Sequence, residues 1–435
     1  MSDTHARTVA YVRDTMLPEQ APPVSQIGVV KWLRENLFNG VISTVLTVLS
    51  VLAIIWMVAE IGPWLSRSVW NAGSLRECRE IWAEAGVPAG ACWGVINDRL
   101  NQLLYGFYPS DLYWRPNLAM VLLFVALAPI LFPWAPRQLL WFSMAYPFIA
   151  YFLLWGGSIW TPVSAALGFV AGYAALRALA PLGMIFQTGG AVLAAVGWWL
   201  LLAGPFAGAM ADLLPLGNQF VRSDRFGGFL ISLVIGVTGI SLSLPLGILL
   251  ALGRQSDMPL IKSVCVVFIE FIRGVPLITL LFTASLLLNY FLPPGTSFDL
   301  ILRVIIMVTL FAAAYLAEVI RGGLAALPRG QYEAADALGL DYWRAQRLII
   351  MPQALKISIP GIVNTFIGLF KDTTLVVFIG LLDPVGLSNA IRASSDWQGI
   401  YWELFIFIGA VFFILCFGMS RYSMYLERRL RTDHR

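Results

Sequence analysis

The sequence predicts an all-α protein that crosses a membrane many times. Its 435 residues are 59% hydrophobic and only 12% charged, which is about half the charged fraction of soluble domains. Several apolar stretches reach the roughly 20 residues that an α-helix needs to span a bilayer. Alternating segments of about ten residues, typical of membrane β-barrels, are not found. These observations predict a polytopic membrane protein with about ten transmembrane helices.

Hydropathy and the positions of basic residues predict the spans and their orientation. Lys31 and Arg34 precede the first span, and Arg428 and Arg429 follow the last. With ten spans, these clusters fall on one side, so both termini are expected in the cytoplasm. Arg222 and Arg225 fall on the opposite side and are exceptions. The predicted spans cover residues 41–62, 117–133, 138–156, 161–181, 185–207, 227–252, 262–290, 300–321, 358–382 and 401–425.

The span order divides the chain near residue 220. Residues 1–40 are predicted to form a cytoplasmic tail, and residues 41–221 a five-span extension that includes an extracytoplasmic loop, 63–116. Residues 222–426 contain the other five spans, in a C-terminal core of five to six helices. Residues 427–435 form a second cytoplasmic tail. No internal repeat is evident.

Composition excludes several classes of function. The two histidines, His5 and His434, both lie near a terminus, which argues against histidine catalysis and against a metal site in the membrane. No Gly-x-x-x-x-Gly-Lys-[Ser/Thr] phosphate loop occurs, so the chain itself is not expected to bind or hydrolyse ATP. Basic residues flank spans and do not interleave with aromatic residues, which argues against a nucleic-acid partner.

Two cysteines share the loop 63–116. If this loop faces an oxidising compartment, Cys78 and Cys92 can form a disulfide; two free thiols are the alternative. Cys265 and Cys416 lie in apolar segments.

A polar insert, residues 328–352, lies between two long apolar segments. Pro328 suits the first turn of a helix, because its missing N–H would be unpaired there anyway. Gly339 suits a helix stop in the left-handed conformation. We therefore expect a short helix over residues 331–338.

A second short helix is expected over residues 342–350. Asp341 is a good N-cap for it, and Pro352 is expected to interrupt the segment after it. The insert is thus predicted to form two short helices at an angle on the cytoplasmic face.

The side chains of the insert suit a docked partner. Ala334, Ala335 and Ala337 make the first helix small enough to enter a groove, and Glu333 offers a charge to a basic partner. Arg344 and Arg347 share one face of the second helix, because residues three apart are neighbours on a helix. The alternative is an amphipathic loop that lies on the lipid surface.

The spacing of the insert resembles a known motif. Glu333-Ala334-Ala335, then Gly339, then Ile349 and Met351-Pro352 match Glu-Ala-Ala-x3-Gly-x9-Ile-x-Leu-Pro, with Met in place of Leu. This is the EAA loop of type I ABC importer permeases. Four further segments resemble the polar amino-acid branch of that family: residues 270–276, 317–323, 330–333 and 370–374.

The resemblance covers residues 222–426, and it implies a function. The chain would be a permease subunit that imports L-amino acids and is not an enzyme. A second permease subunit would complete the pathway, two cytoplasmic ATPases would bind ATP and Mg²⁺ and engage the EAA loop (328–352), and a periplasmic binding protein would deliver the amino acid. The five extra spans and the long loop resemble M-type permeases of general L-amino-acid transporters, or their glutamate/aspartate-type relatives. The resemblance implies the bacterial inner membrane.

Charged and polar residues within the spans are candidates for the pathway. A charge at the bilayer centre costs about 2.5–3.5 kcal/mol, so it tends to be paired or to line water. Glu270/Arg273 and Glu318/Arg321 can pair at i,i+3, and architectural ion pairing is the alternative to a transport role. Neighbouring helix positions point about 100° apart, so Lys371 and Asp372 cannot face one partner. The pathway candidates are Glu270, Arg273, Glu318, Asn364, Lys371, Asp372 and Thr373.

Helix breaks and competing functions complete the expectations. Gly274 and Pro276 are expected to break the seventh span, and Ser241, Ser243 and Pro245 could break the sixth. An ion-coupled secondary transporter would commonly show repeated halves, and it would not need the insert. A membrane enzyme is disfavoured by the lack of a nucleophile motif.

Overall fold

The computed structural model describes residues 28–287 and 299–430. His5, His434 and most of both predicted tails lie outside the described residues. Within these two ranges the structure is helical, as predicted, with one pair of two-residue strands. The α-helices of the N-terminal half are α1 (Gly28–Asn36), α2 (Val41–Ser66), α3 (Leu75–Glu84), α4 (Gly94–Tyr105), α5 (Trp114–Leu131), α6 (Leu139–Trp155), α7 (Trp160–Ala178), α8 (Met184–Gly197) and α9 (Ala203–Leu213), with a π turn at Trp198–Leu202.

The C-terminal half contains nine further helices among the described residues. They are α10 (Gly228–Gln255), α11 (Pro259–Gly274), α12 (Leu277–Phe282), α13 (Leu300–Ala325), α14 (Arg329–Ala337), α15 (Tyr342–Ala345), α16 (Met351–Asp372), α17 (Pro384–Arg392) and α18 (Trp402–Leu430). π turns follow α12 at Thr283–Leu287 and α15 at Gln346–Ile350, and a 3₁₀ helix follows α16 at Thr373–Ile379.

The described residues divide into two compact units, residues 28–69 with 79–91, and residues 70–78 with 92–287 and 299–430. The described part of the smaller unit contains α1 and α2. No side chain of α2 is buried, and its sequence is apolar all round. A helix of this kind suits a lipid environment.

The larger unit is centred on α10 and α13, which pack along much of their length. Glycine allows this close approach. A Cβ at Gly247 would lie 2.7 Å from Leu316 Cβ, and one at Gly323 would lie 2.5 Å from the Ala354 carbonyl oxygen. Both distances are too short for any larger residue, so these glycines set the spacing of α10, α13 and α16.

Helices α5 to α9 also belong to the larger unit. Tyr146 Oη donates a hydrogen bond to the Ala119 carbonyl at 2.9 Å, and this bond joins α6 to α5. Trp198 Nε1 donates to the Ser164 carbonyl at 2.9 Å and joins the π turn to α7. Strands β1 (Gly157–Ser158) and β2 (Gly217–Asn218) pair antiparallel, with Gly157 opposite Asn218 and Ser158 opposite Gly217.

A helix or helix pair coincides with each of the ten predicted spans. Among the described residues, seven helical stretches are long and apolar enough to cross a membrane, and counting one bent pair as a span gives eight. α6 is apolar, but its 17 residues are fewer than the roughly 20 that usually span a bilayer. α7 has 19 residues. The prediction of about ten helices therefore agrees with the fold.

The predicted break in the seventh span is confirmed. α11 and the stretch Leu277–Leu287 meet at an angle of 104° around Val275 and Pro276. The suggested break in the sixth span is wrong, because α10 continues through Pro245. Ser241 Oγ donates to the Val237 carbonyl at 2.7 Å, and Ser243 Oγ donates to the Ile240 carbonyl at 3.1 Å. Such hydroxyl contacts help a helix in a membrane to tolerate proline.

Candidate coupling surface and pathway

The first half of the polar insert folds close to expectation. α14 spans Arg329–Ala337, and Pro328 is the N-cap, one position earlier than the first helical turn. Gly339 has φ +68°, the left-handed conformation that glycine adopts without strain. The Asp341 carboxylate accepts a hydrogen bond from the Arg344 N–H at 3.0 Å and caps α15, as predicted.

The predicted interruption at Pro352 is wrong. α15, the π turn, α16 and the 3₁₀ helix form one helical stretch, Tyr342–Ile379, of 38 residues. Proline in a regular helix clashes with the carbonyl four residues earlier. The π turn at Gln346–Ile350 lies immediately before it, and its wider i→i+5 bonding displaces those carbonyls. The second half of the insert is therefore the beginning of the ninth span.

Core contacts hold α14 in place. The Ala335 side chain is buried and therefore cannot enter a partner's groove; Glu333 and Ala334 are exposed. Gln353 Nε2 donates to Gln331 Oε1 at 3.0 Å, and this bond joins α16 to α14. The buried Ala335 therefore fixes the helix, and the exposed Glu333 and Ala334 remain available to a partner.

The insert exposes both charged and apolar side chains. Arg344, Arg347 and Pro352 are exposed, and Arg344 Nε lies 3.1 Å from Asp341 Oδ2. The exposed fraction is 73% for Leu338 and 64% for Leu348. Tyr342 and Trp343 are also about half exposed. Aromatic and arginine residues around an apolar patch are typical of the centre of a protein interface, and this composition was not anticipated from the motif alone.

The two predicted ion pairs belong to one network. Arg254 Nη1, at the end of α10, lies 2.7 Å from Glu270 Oε1 and 2.8 Å from Glu318 Oε1. Arg273 Nη1 lies 3.9 Å from Glu270 Oε2 and 3.8 Å from Glu318 Oε2. Arg321 Nε lies 3.1 Å from Glu318 Oε2. Glu318 therefore contacts three arginines, and the network joins α10, α11 and α13.

The remaining pathway candidates lie on α16 and just after it, but they do not share one environment. Asn364 and Lys371 are exposed, Asp372 is half-buried, and Thr373 is buried. The Thr373 hydroxyl donates to the Phe370 carbonyl at 2.8 Å, so this residue belongs to the packed interior. The different exposures of Lys371 and Asp372 agree with their 100° separation on the helix.

Part of the loop 63–116 packs on the core, which sequence reasoning did not anticipate. Asp98 accepts a hydrogen bond from Nε1 of the fully buried Trp397 at 2.8 Å. Glu403 Oε1 accepts from the Cys92 N–H at 2.8 Å. α4 also packs against α10, α17 and α18. These partners lie about 300 residues apart in sequence, and no local pattern signals such contacts.

The cysteines of this loop are bonded in the structure. Cys78 and Cys92 are joined through their sulfurs, with a Cα–Cα distance of 6.1 Å, inside the usual 4.4–6.8 Å range. Both residues are fully buried.

Known proteins resemble this chain over part or all of its length. The family model described as "binding-protein-dependent transport system inner membrane component" matches residues 243–432. The chain is 62% identical to the glutamate/glutamine/aspartate/asparagine transport system permease protein BztC of Rhodobacter capsulatus over the full length of both chains. It is 38% identical to the inner membrane amino-acid ABC transporter permease protein YhdY of Escherichia coli, over 92% of this chain and 93% of that protein.

A solved amino acid ABC transporter with histidines aligns with 46% of this chain and 91% of its own, at 31% identity and a TM-score of 0.42. The two full-length relatives and the match over the C-terminal core decide the family. This chain belongs to the binding-protein-dependent transport system inner membrane components, the permease subunits of ABC transporters.

Proposed function

We propose that this chain is a permease subunit of an ATP-driven importer for L-amino acids, with glutamate, glutamine, aspartate and asparagine as its substrate class. The substrates named for the relative that is 62% identical support this class. The observation that carries the mechanism is the exposed surface of the polar insert, which lies directly on the helix that continues into the ninth span.

The insert is the proposed docking surface for a cytoplasmic ATPase. Glu333, Ala334 and Gly339 lie on its first part, and Arg344 and Arg347 on its second; all five are exposed. Ala335 and Gln331 attach the first part to the core. A partner that closes on this surface would move a body with fixed internal contacts, so little of the movement would be absorbed locally.

The continuous helix gives this movement a path through the membrane. Its 38 residues correspond to roughly 55–60 Å at about 1.5 Å per residue. Asn364 and Lys371 lie on its exposed face, about 10 Å apart along the axis. We propose that this face lines the pathway together with a second permease subunit, because a charged side chain facing lipid would cost about 2.5–3.5 kcal/mol.

The remaining assignments complete the proposed assembly. Two copies of the ATPase bind ATP and Mg²⁺, and this chain holds neither. A periplasmic binding protein delivers the amino acid at the opposite end of the spans. The basic residues before the first span and after the last support cytoplasmic termini in the bacterial inner membrane.

Two substitutions test the docking role in the reconstituted importer. Gly339→Val forces a β-branched residue into a left-handed conformation, and Glu333→Lys reverses an exposed charge. Both variants should lose co-purification of the ATPase and uptake of amino acid, while membrane insertion is retained. Glu84→Lys, which reverses an exposed charge on α3, is the matched control and should leave both unchanged. Undiminished uptake by both insert variants refutes the docking role.

A further inference from the structure

A cavity lies at the end of the core opposite the polar insert. Its volume is about 350 Å³, and it lies between the segment that leads into α10, the beginning of α13 and the turn after the 3₁₀ helix. A neighbouring cavity of about 330 Å³ shares Phe220 and Arg222 with it. We name the first of these the outer cavity. Its volume is ample for a free amino acid, and the coupling mechanism does not use it.

Charged side chains of both signs line the outer cavity. They are Arg222, Asp224 and Asp299. Arg222 Nη2 lies 3.1 Å from Asp224 Oδ2, and both side chains are more than half exposed. A guanidinium has five N–H donors, so one ion pair leaves donors for a ligand. Asp299 Oδ1 accepts from the N–H groups of Ile301 and Leu302, and these bonds hold its carboxylate at the cavity edge.

The segment that carries Arg222 and Asp224 is fixed by contacts with the N-terminal extension. Arg115 Nη1 donates to the Gln219 carbonyl at 2.7 Å, and the Val221 N–H donates to the Trp155 carbonyl at 2.8 Å. Trp155 Nε1 donates to Ser223 Oγ at 2.8 Å. Fixed binding groups reduce the entropy lost when a ligand binds. The cavity wall is therefore largely pre-formed.

The position of Arg222 is unusual for a span boundary. Basic residues concentrate on the cytoplasmic side of membrane proteins, yet Arg222 and Arg225 lie at the end of the core away from the insert and the basic C-terminus. Membrane topology therefore does not account for them. An α-amino acid carries a carboxylate and an ammonium group, and the outer cavity offers a cation and two anions.

We propose that the outer cavity binds a free zwitterionic α-amino acid at the entrance of the transport pathway. Arg222 binds the α-carboxylate, and Asp224 and Asp299 receive the ammonium group. Phe220, whose side chain is 60% exposed at the cavity, covers the apolar part of the ligand. The choice of an amino acid as ligand rests on the proposed function.

Cysteine protection in the purified permease–ATPase complex tests this site directly. Leu300 lines the cavity and is half-buried. The variant Leu300→Cys therefore places a thiol in the cavity wall. The complex in nanodiscs is labelled with a charged maleimide, and the wild type measures the background from Cys265 and Cys416. L-Glutamate or L-glutamine at twice its dissociation constant should slow labelling about threefold, since the unprotected fraction is 1/(1 + [L]/Kd).

Substitutions of the two arginines identify the recognition group. In the Leu300→Cys variant, the additional substitution Arg222→Gln should abolish protection by either amino acid. Arg222→Lys in the same variant should retain part of the protection. Arg225→Gln is the matched control, because Arg225 lines the neighbouring cavity and not this one, and it should leave protection intact. Arg222 is 76% exposed, so its substitution should not disturb folding.

Two outcomes overturn the proposal. One is the absence of protection at the highest soluble concentration of both amino acids. The other is protection by the ligand-free binding protein alone, which would make this surface a protein dock. Labelling requires no ATP and is therefore measured independently of uptake. If the complex takes up amino acid but the amino acid does not protect the cysteine from labelling, only this site is refuted. Protection in a complex that fails to take up amino acid refutes only the proposed function.

Discussion

Asn364 and Lys371 lie two helical turns apart on the exposed face of α16. The sequence already showed two polar residues in an apolar span, and the cost of placing them in lipid made them pathway candidates. Exposure separates them from Thr373, which is buried. The reason is register: positions 364 and 371 differ by seven residues and share a face, whereas 373 points elsewhere.

Lys371→Met should lower amino-acid uptake about tenfold or more, equivalent to a loss of at least ~1.4 kcal/mol of transport-state stabilisation. The physical reason is the loss of a cationic side chain from the exposed face of α16. Co-purification of the ATPase should be unchanged, because the insert is intact. Phe378→Leu, at an exposed apolar position beyond the polar pair, is the control. Normal uptake by Lys371→Met would remove this residue from the pathway.

Asp383 is fully buried between the 3₁₀ helix and α17, and it caps α17 through the N–H groups of Val385 and Gly386. Burial raises the pKa of its carboxyl from 3.8 to about 6, although the backbone donors oppose the rise. The folded state therefore favours the protonated form. This contribution to stability is fully present below about pH 4 and is lost as the pH rises through about 6.

Asp383→Asn should remove this pH dependence while keeping the cap bond from the Gly386 N–H, because the amide oxygen of asparagine is also a good N-cap acceptor. The pKa difference corresponds to ~3 kcal/mol. The apparent Tm of the purified complex is measured from about pH 4 to about pH 8. The Tm of the variant relative to the wild type should rise between about pH 4 and about pH 6 and then level off. Parallel curves for the two proteins would contradict the assignment.

Among the helices, one charge network around Glu318 joins α10, α11 and α13. The sequence alone had predicted two separate ion pairs, Glu270/Arg273 and Glu318/Arg321. Arg254 is 16 residues from Glu270 and 64 from Glu318, and its long side chain reaches both. A local rule such as i,i+3 spacing detects only contacts within one helix. The bend of 104° after α11 accompanies the contact between its C-terminal residues and α10 and α13.

Glu318→Gln should destabilise the complex more than Glu270→Gln does. Glu318 is 16% exposed and contacts three arginines, whereas Glu270 is 53% exposed and contacts two. Removal of one partner from a buried charge network costs about 3–5 kcal/mol, and partial exposure here reduces the expected value to ~1–3 kcal/mol. Thermal unfolding of both variants measures the difference. Equal shifts would show that Glu318 is not the centre of the network.

At the scale of the whole molecule, the loop 63–116 and the core are connected through contacts such as Asp98–Trp397 and Cys92–Glu403. The bond between Cys78 and Cys92 lies beside these contacts and closes a loop of 15 residues, counted from a sequence separation of 14. A cross-link of this length restricts the unfolded chain by about 3 kcal/mol in the loop-entropy model.

The double variant Cys78→Ser, Cys92→Ser should therefore lower the stability of the purified protein by ~2–4 kcal/mol. A reductant should lower the unfolding temperature of the wild type and leave that of the variant unchanged. Cys265→Ser, at a free and half-buried cysteine, is the control and should keep the sensitivity to reductant. A wild type that responds no more to reductant than the double variant would indicate free thiols.

The helical class, about ten helical segments, the break at Pro276 and the caps of the insert could all be predicted from the sequence. These properties depend on local physics: the hydrophobic length of a span, the fixed φ of proline and the left-handed conformation of glycine. The tertiary structure alone decided that Pro352 lies within a continuous helix, that Ala335 is buried, that one charge network joins α10, α11 and α13, and that Arg222 lines a cavity. The continuous helix at Pro352 depends on the π turn just before it. The other three depend on groups far apart in the chain, and their contacts arise only when the helices pack.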